Sequence, residues 1–244
     1  LPTQLLSVDR KIKLQDKHWS FATKDLSETF SDHITRSIPG YQEGHELIVE
    51  LSDYFVNHDE KNYIYDLGCS VGELCKKIAS KYKTNKNIFI IGIDNKEQMI
   101  EKAKEEASSY RNINFSCDDF LSFPFKKSNF FISYYTLQFL SLFQRKNLLK
   151  KIYLALEEGG GLAVFEKVLE ETSYIQSMLS TVYKNFKTKN SFTPSQILCK
   201  EQSLKGVLTP LTREENIKMF KSIGFSKVSL IMKNLHFEGY LLVK

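Results

Sequence analysis

Residues 63–73 read YIYDLGCSVGE, and this stretch decides how the rest of the chain is interpreted. A short apolar run ends at Asp66, small residues follow with the spacing Gly-x-Ser-x-Gly, and a helix-forming sequence comes next. The pattern predicts a strand, a tight turn and a helix, with Gly68 and Gly72 allowing backbone angles that side chains would oppose. In an α/β sheet such a turn holds a nucleoside cofactor, although an ordinary strand-to-helix turn has the same pattern.

The composition is that of a globular chain of 244 residues, long enough for one α/β domain with an added cap. Hydrophobic residues make up 42% and charged residues 26%, which excludes a largely disordered protein. The net charge of +5 comes from lysines scattered over many segments. Scattered charge gives little support for a contact with RNA or another anionic partner.

The cysteines predict a reduced protein without a structural metal. Cys69, Cys75, Cys117 and Cys199 show no Cys-x-x-Cys spacing and no histidine at zinc-ligand spacing. No apolar run approaches the roughly 20 residues that span a bilayer, and the N-terminus has no signal-peptide core. We therefore expect a cytoplasmic protein without membrane contact. The leucine at residue 1 is consistent with excision from a longer chain.

Alternating strands and helices after the opening stretch predict a mostly parallel sheet. Strands are expected at 88–93, 113–116, 130–134 and 162–166, with helices at 73–82, 96–110 and 144–156. The last of these helices is expected to stop at Gly159–Gly161 in a flexible turn. A capping box at Thr212 opens a helix to Ile223, and the closing strands 228–232 and 240–243 predict a hairpin.

The chain is interpreted as one domain in four parts. Residues 1–60 form an N-terminal arm and lid helices, and residues 61–167 form the cofactor-binding core. Residues 168–209 form a helical excursion that serves as a lid or a dimer surface, and residues 210–244 complete the core. Trp19 and Phe21 anchor the arm. Lid helices are expected at 23–37 and 44–56, with Tyr41 on the loop between them.

Acidic residues follow the second and third strands, at the edge where α/β sheets bind nucleotides. Asp94 with Asn95 ends the second strand, where a carboxylate can accept both ribose hydroxyls. Alternatively, Asp94 or Asn95 caps the next helix. Asp118 and Asp119 follow the third strand, and either can accept a hydrogen bond from the amino group of an adenine.

The ordered set of Asp66-x-Gly68-x-Ser70-x-Gly72, Asp94 and Asp118-Asp119 resembles the Rossmann-like class I S-adenosylmethionine-dependent methyltransferases. This resemblance implies a seven-stranded, mostly parallel sheet with helices on both faces, and S-adenosyl-L-methionine as the cofactor. The turn lacks the middle glycine of dinucleotide dehydrogenases, and no GxxxxGK[ST] loop is present.

A closer resemblance covers nearly the whole chain. The segments SIPGY (37–41), YDLGCS (65–70), GIDN (92–95) with MI (99–100), TLQFL (136–140), EK (166–167) and NFK (185–187) are similar to bacterial carboxy-S-adenosylmethionine synthases of tRNA wobble-uridine modification. In that family they build a site for a carboxylated S-adenosylmethionine, whose carboxylate comes from prephenate. The resemblance implies cofactor contacts from Tyr41, Gly68, Cys69, Ser70, Asp94, Asn95, Met99, Asp118, Asp119 and Tyr134.

Two departures from that family concern the added carboxylate. An arginine of the family binds it, and Glu201 stands at the aligned position, although the neighbouring Lys200 could substitute. Tyr134 replaces an asparagine beside the cofactor. Because two buried like charges repel, we expect the carboxylated cofactor to bind poorly.

The leading hypothesis is an S-adenosylmethionine-dependent methyltransferase that acts on a small or carrier-borne acceptor. The alternatives are a working carboxy-S-adenosylmethionine synthase and a non-catalytic binding partner with the same fold. No catalytic residue is assigned. Glu166, Glu201, His33 and His45 are candidate bases on the substrate side, since methyl transfer needs a base only when the acceptor loses a proton. A homodimer is expected from the family resemblance.

Overall fold

The computed structural model describes residues 24–244, with side chains from Ser27 onward. The predicted arm of residues 1–22, with its anchors Trp19 and Phe21, lies outside the described residues. No helix in the described part of the chain is long and apolar enough to cross a membrane.

One sheet of seven strands runs through the described residues. The strands are β1 (Asn62–Leu67), β2 (Ile88–Asp94), β3 (Ile113–Cys117), β4 (Ser128–Tyr134), β5 (Leu156–Lys167), β6 (Lys227–Asn234) and β7 (Phe237–Val243). Their order is β3-β2-β1-β4-β5-β7-β6, and all neighbours are parallel except the two pairs that include β7. The predicted mostly parallel sheet and its closing hairpin are confirmed.

The helices follow the predicted order. They are α1 (Lys24–Ser37), α2 (Tyr41–Ser52), α3 (Glu73–Lys81), α4 (Glu97–Glu106), α5 (Leu142–Ala155), α6 (Ser173–Lys189), α7 (Pro194–Ser203) and α8 (Arg213–Ile223). The capping box at Thr212 is confirmed, since its side chain accepts a hydrogen bond from the backbone N–H of Glu215 while the Glu215 carboxylate bonds the backbone of Thr212. Such reciprocal bonds satisfy backbone donors that the first helical turn leaves open.

Two apolar layers cover the two faces of the sheet. Neighbouring residues of one strand belong to different layers, because side chains alternate across a strand: Ile64 and Phe130 pack in one layer, and Tyr65 and Phe131 in the other. Helices α2 and α3 cover the first layer, and helices α5 and α8 cover the second. This burial on both faces explains the continuously apolar strands of the sequence.

Two expectations about boundaries were wrong. Helix α2 begins at Tyr41 rather than Gly44, because Gly40 takes a left-handed φ of 76° that ends the preceding turn. The glycines of 159–161 lie within β5, where Gly161 pairs with Val243. A Cβ on Gly161 would come within 2.5 Å of the Phe55 ring, so glycine here permits close packing rather than a flexible turn.

The order in which successive strands are added to the sheet changes direction at β1. The chain builds β2 and β3 outward on one side of β1 and then returns to place β4 on the other side. In open α/β sheets, ligands bind outside the carboxyl ends of the strands at such a point. The functional site is therefore expected where β1, β2 and β4 end.

Candidate functional site

A cavity of about 350 Å³ lies at the carboxyl ends of β1, β2 and β4 and is covered by α1 and α2; we call it the edge cavity. Eight of the ten residues expected to contact the cofactor line this cavity. They are Tyr41, Gly68, Cys69, Ser70, Asp94, Asn95, Met99 and Tyr134. The structure thus brings together residues that are separated by more than ninety positions in the sequence.

The turn after β1 forms the floor of the edge cavity. Gly68, Ser70 and Gly72 all have left-handed backbone angles, with φ values of 74°, 50° and 71°. A Cβ on Gly68 would overlap Thr136, which accounts for glycine at that position. Ser70 is not glycine, and a non-glycine residue with this angle at a cavity is typical of a functional site.

Asp94 is oriented by backbone donors. Its carboxylate accepts hydrogen bonds from the N–H of Ser70 (3.0 Å) and from the N–H of Lys96 (2.9 Å). Each oxygen keeps a further acceptor site, so the group can also accept two hydroxyls of a ligand. Helix α4 has Lys96 as its N-cap and no side-chain cap. The structure therefore favours a ligand-facing carboxylate over the helix-capping alternative.

Asp66 supplies a second carboxylate to the edge cavity. Burial raises the pKa of Asp66 to about 7, a hydrogen bond from the Cys75 thiol (3.3 Å) lowers it, and the nearby Asp94 raises it. Glu73 also lines the cavity, and Lys96 is the one lysine or arginine among the described residues of the wall. This balance of charge favours a positively charged ligand.

Aromatic rings form the wall opposite the turn. The ring of Tyr41 lies 5.1 Å from that of Tyr134 and 4.6 Å from that of His45, measured between centroids. The Tyr134 hydroxyl donates a hydrogen bond to the backbone oxygen of Tyr41 (2.6 Å), which joins β4 to α2. Burial, and to a smaller extent Lys77, lowers the pKa of His45 to about 3, so this imidazole is neutral at physiological pH. The faces of such rings attract cations.

A second cavity of about 260 Å³ lies between α1, α6 and α7; we call it the lid cavity. It adjoins the edge cavity, since Phe30, Ile34, Ile38, Gln138 and Phe139 line both. His33 and Glu201, two of the predicted bases, line the lid cavity, whereas His45 lines the edge cavity.

Polar contacts fix both of these groups in the lid cavity. The Lys200 ammonium lies 2.7 Å from Nε2 of His33 and 3.2 Å from the hydroxyl of Ser37. The carboxylate of Glu201 lies 3.4 Å from the Lys184 ammonium. Glu201 therefore does not face the edge cavity in this structure.

The expectation that Glu166 faces the opening is wrong. Its side chain is fully buried, lies 3.2 Å from the guanidinium of Arg145, and lines neither cavity. Arg145 also donates to the backbone oxygen of Thr209 (2.9 Å). Burial raises the pKa of Glu166 to about 7 despite the arginine. Glu166 joins elements of the core and is not available to a substrate.

Asp118 and Asp119 lie outside the wall of the edge cavity. Both are exposed; Asp118 accepts a hydrogen bond from the Ser116 hydroxyl, and Asp119 accepts one from the N–H of Leu121 (2.9 Å). Phe120, which directly follows Asp119, lines the cavity instead. The wall is therefore aromatic at this position, where acidic residues were expected.

Other lining residues were also missed as site residues. Tyr135, Thr136, Gln138 and Leu140 all line the edge cavity. Tyr135 has a left-handed φ of 59°, which turns the chain sharply after β4. The segment TLQFL could have indicated that these residues belong to the site, because it follows a buried strand at the ligand-binding edge of the sheet.

Comparisons with known proteins agree with this geometry. The profile of a methyltransferase domain family matches residues 58–221. A carboxy-S-adenosyl-L-methionine synthase of Staphylococcus epidermidis is 33% identical over 93% of this chain and 97% of its own length. The enzyme of that name from Helicobacter hepaticus is 37% identical over 90% of this chain and 92% of its own length.

Solved structures share the fold at low sequence identity. Human N-acetylserotonin methyltransferase in complex with S-adenosylmethionine superposes with a TM-score of 0.53 at 19% identity, over 98% of this chain and 65% of that chain. An O-methyltransferase family 2 protein of Planctomyces limnophilus gives a TM-score of 0.55 at 17% identity, over 76% and 52% of the two chains. The chain belongs to the family of S-adenosylmethionine-dependent methyltransferase domains that includes the carboxy-S-adenosyl-L-methionine synthases.

Proposed function

We propose that the edge cavity binds S-adenosylmethionine as a methyl donor and that the acceptor, a small or carrier-borne molecule, enters through the lid cavity. One observation carries this proposal, namely the charge of the edge-cavity wall. Asp66, Glu73 and Asp94 contribute carboxylates, and His45 is neutral. S-adenosylmethionine carries a sulfonium and an ammonium group, so the wall is complementary to it.

Different side chains of the edge cavity bind different parts of this cofactor. Asp66 holds the ammonium group, and Asp94, oriented by two backbone donors, accepts the ribose hydroxyls. The rings of Tyr41 and Tyr134 stabilise the positive sulfur. Bound S-adenosylmethionine would supply a methyl group: an acceptor atom in line with the carbon–sulfur bond would attack the methyl carbon, and S-adenosylhomocysteine would leave, so close positioning would provide much of the rate.

The lid helices complete the proposed site. Helices α1 and α2 cover the edge cavity, and α6 and α7 cover the lid cavity, which is why we propose lid roles for both segments. His33 and Glu201 remain the substrate-side candidates for a base, because both line the lid cavity. Glu166 is withdrawn from this group because it is buried against Arg145.

A second candidate function is the synthesis of carboxy-S-adenosylmethionine from S-adenosylmethionine and prephenate. It is favoured by the relatives of that name, which are 33% to 37% identical over 90% or more of the chain. The wall of the edge cavity favours the methyl donor instead. An added carboxylate would approach a wall that already carries three carboxylates.

Product analysis separates the two functions. The protein is incubated with S-adenosylmethionine and prephenate, and the nucleosides are weighed by mass spectrometry, with the Staphylococcus epidermidis relative as a positive control. We expect S-adenosylmethionine to be recovered without a carboxylated adduct, while the control forms one. Formation of the adduct by this protein at the rate of the control would refute the methyl-donor proposal.

We also propose a cytoplasmic homodimer. Cys69, Cys75, Cys117 and Cys199 are all free thiols, as is usual in reducing compartments. Tyr174, Met178 and Val182 form an exposed apolar stripe along α6 at helical spacing, and a second copy could cover it. Light scattering measures the mass in solution. A contact with RNA stays a prediction that rests on net charge alone.

A further inference from the structure

Two lysines of the lid cavity are held beside the same aromatic ring. Lys187 on α6 is buried, with 4% of its surface exposed, and Lys167 ends β5. Their ammonium groups lie 4.4 Å and 5.4 Å from the centroid of the Tyr183 ring. Between residues 27 and 244, no carboxylate lies within 4.0 Å of either ammonium group.

The remaining charges of this cavity do not neutralise the pair. Lys200 and Lys205 add two more ammonium groups to the wall, and Glu201 is the one carboxylate among its described residues. Glu201 is itself paired with Lys184 on the outer side of α6. The described residues of the lid cavity therefore carry an excess of positive charge.

Burial and neighbouring charges both shift the pKa values of these two lysines. Burial lowers the pKa of Lys187 to about 8, and the charge of Lys167 lowers it further, whereas Glu201 acts in the opposite direction. Burial also lowers the pKa of Lys167. A buried charge without a counter-ion is unfavourable, so an anion brought by a ligand would stabilise both lysines.

We propose that Lys167 and Lys187 form an anion subsite that binds a carboxylate or phosphate group of the methyl acceptor. This inference rests on the proposed function. The wall shared by the two cavities is apolar at Phe30, Ile34, Ile38 and Phe139. It can therefore contact the uncharged part of the methyl acceptor. The acceptor class is an organic anion whose apolar part reaches from the lysines toward the edge cavity.

Model ligands test the subsite without knowledge of the acceptor. Benzoate, phenyl phosphate and the neutral benzamide are titrated by calorimetry into the full chain, both free and saturated with S-adenosylhomocysteine. We expect one or both anions to bind at least about tenfold more tightly than benzamide. The tighter of the two anions then identifies the group that the subsite accepts.

Two substitutions test whether the lysines cause the preference for anions. Lys187→Met and Lys167→Met should each weaken binding of the anion by about tenfold or more, while binding of S-adenosylhomocysteine stays unchanged. Lys184→Met is the matched control, because Lys184 lies on the same helix but is half exposed. It should bind the anions as the unaltered protein does. Circular dichroism confirms that each variant is folded.

The unaltered protein provides a test that needs no substitution. Benzoate should bind less tightly as the pH rises through about 8, because Lys187 then loses its proton. The other charged or titratable groups around Lys187 in the described residues are Lys167 on β5, Tyr183 on α6, Lys200 and Glu201 on α7, Lys205 after α7 and His33 on α1, with Lys184 acting from the outer side of α6.

Three outcomes overturn the subsite: benzamide binds as tightly as the anions, neither anion binds, or both methionine variants bind the anions normally. Failure of the proposed function gives a different result. In that case S-adenosylhomocysteine does not bind, or the protein forms the carboxylated adduct with prephenate, and the titration of the free protein still decides whether the lysines bind anions.

Discussion

Asp66 combines a fully buried carboxylate with a position on the wall of the edge cavity. Its pKa of about 7 means that the group is protonated in part at neutral pH when the cavity is empty. A ligand with an ammonium group favours the ionised form. Binding should therefore be coupled to the loss of a proton from this one residue.

This coupling predicts a pH dependence for S-adenosylmethionine. The free protein holds the proton of Asp66 below about pH 7, so affinity should rise as the pH increases through that value. Asp66→Asn cannot ionise; it should bind the cofactor at least about tenfold more weakly at neutral pH and lose the rise. Calorimetry at a series of pH values measures both effects.

Asp118→Asn is the matched control for this experiment, since Asp118 is exposed and lies outside the wall of the edge cavity. It should bind S-adenosylmethionine as the unaltered chain does. If Asp118→Asn weakened binding as much as Asp66→Asn, the placement of the two carboxylates described above would be incorrect.

At the scale of elements, the pair of Arg145 and Glu166 joins α5 to β5 inside the core. Arg145 also reaches the backbone of Thr209, in the segment before α8, so one guanidinium connects three parts of the chain. A buried ion pair is weak evidence for stability by itself. Removal of one partner is nevertheless unfavourable, because it leaves the other charge buried and unpaired.

Arg145→Met should lower the free energy of unfolding by about 3–5 kcal/mol near pH 8, where Glu166 is ionised. The loss should be smaller near pH 5, because the pKa of Glu166 is raised to about 7 and the carboxyl is then neutral. The double variant Arg145→Met/Glu166→Gln should regain much of the lost stability. Urea denaturation at the two pH values provides the comparison.

Glu166→Gln alone tests the assignment of Glu166 to the core. The variant should keep its affinity for S-adenosylmethionine and its turnover, because the side chain lines neither cavity. A loss of turnover without a loss of stability would return Glu166 to the list of bases.

The order of elements could be predicted from sequence because the central strands β1, β2, β4 and β5 are mostly apolar and are separated by segments of helical or turn character. Two boundaries differ from the prediction. Tyr41 was expected on a loop, yet the left-handed Gly40 allows α2 to begin there. The glycines of 159–161 suggest a turn, but they extend β5 and make room for Phe55. Packing between distant segments decides both, and neighbouring residues do not reveal it.

At the scale of the whole molecule, the sheet brings the ends of β1, β2 and β4 to one place, and this is why the edge cavity could be predicted from spacing. The lid cavity could not. His33, Lys167, Lys187 and Lys200 lie on four different elements, and the segments that contain them do not show from sequence that their side chains share one cavity. The charge of that cavity becomes visible only when α1, α6 and α7 are packed together.

The packing of α6 and α7 also changes the interpretation of Glu201. From the sequence, this residue was expected to repel a carboxylate on the cofactor. In the structure it pairs with Lys184 and lines the lid cavity, so the discrimination between cofactors falls to the wall of the edge cavity. Asp66, Glu73 and Asp94 favour the more positive ligand.

The central claim is that this chain binds plain S-adenosylmethionine in preference to its carboxylated form. Calorimetric titration of the purified protein with each compound, under identical conditions, tests it most directly. We expect at least about tenfold tighter binding of S-adenosylmethionine. Equal or tighter binding of carboxy-S-adenosylmethionine would contradict it.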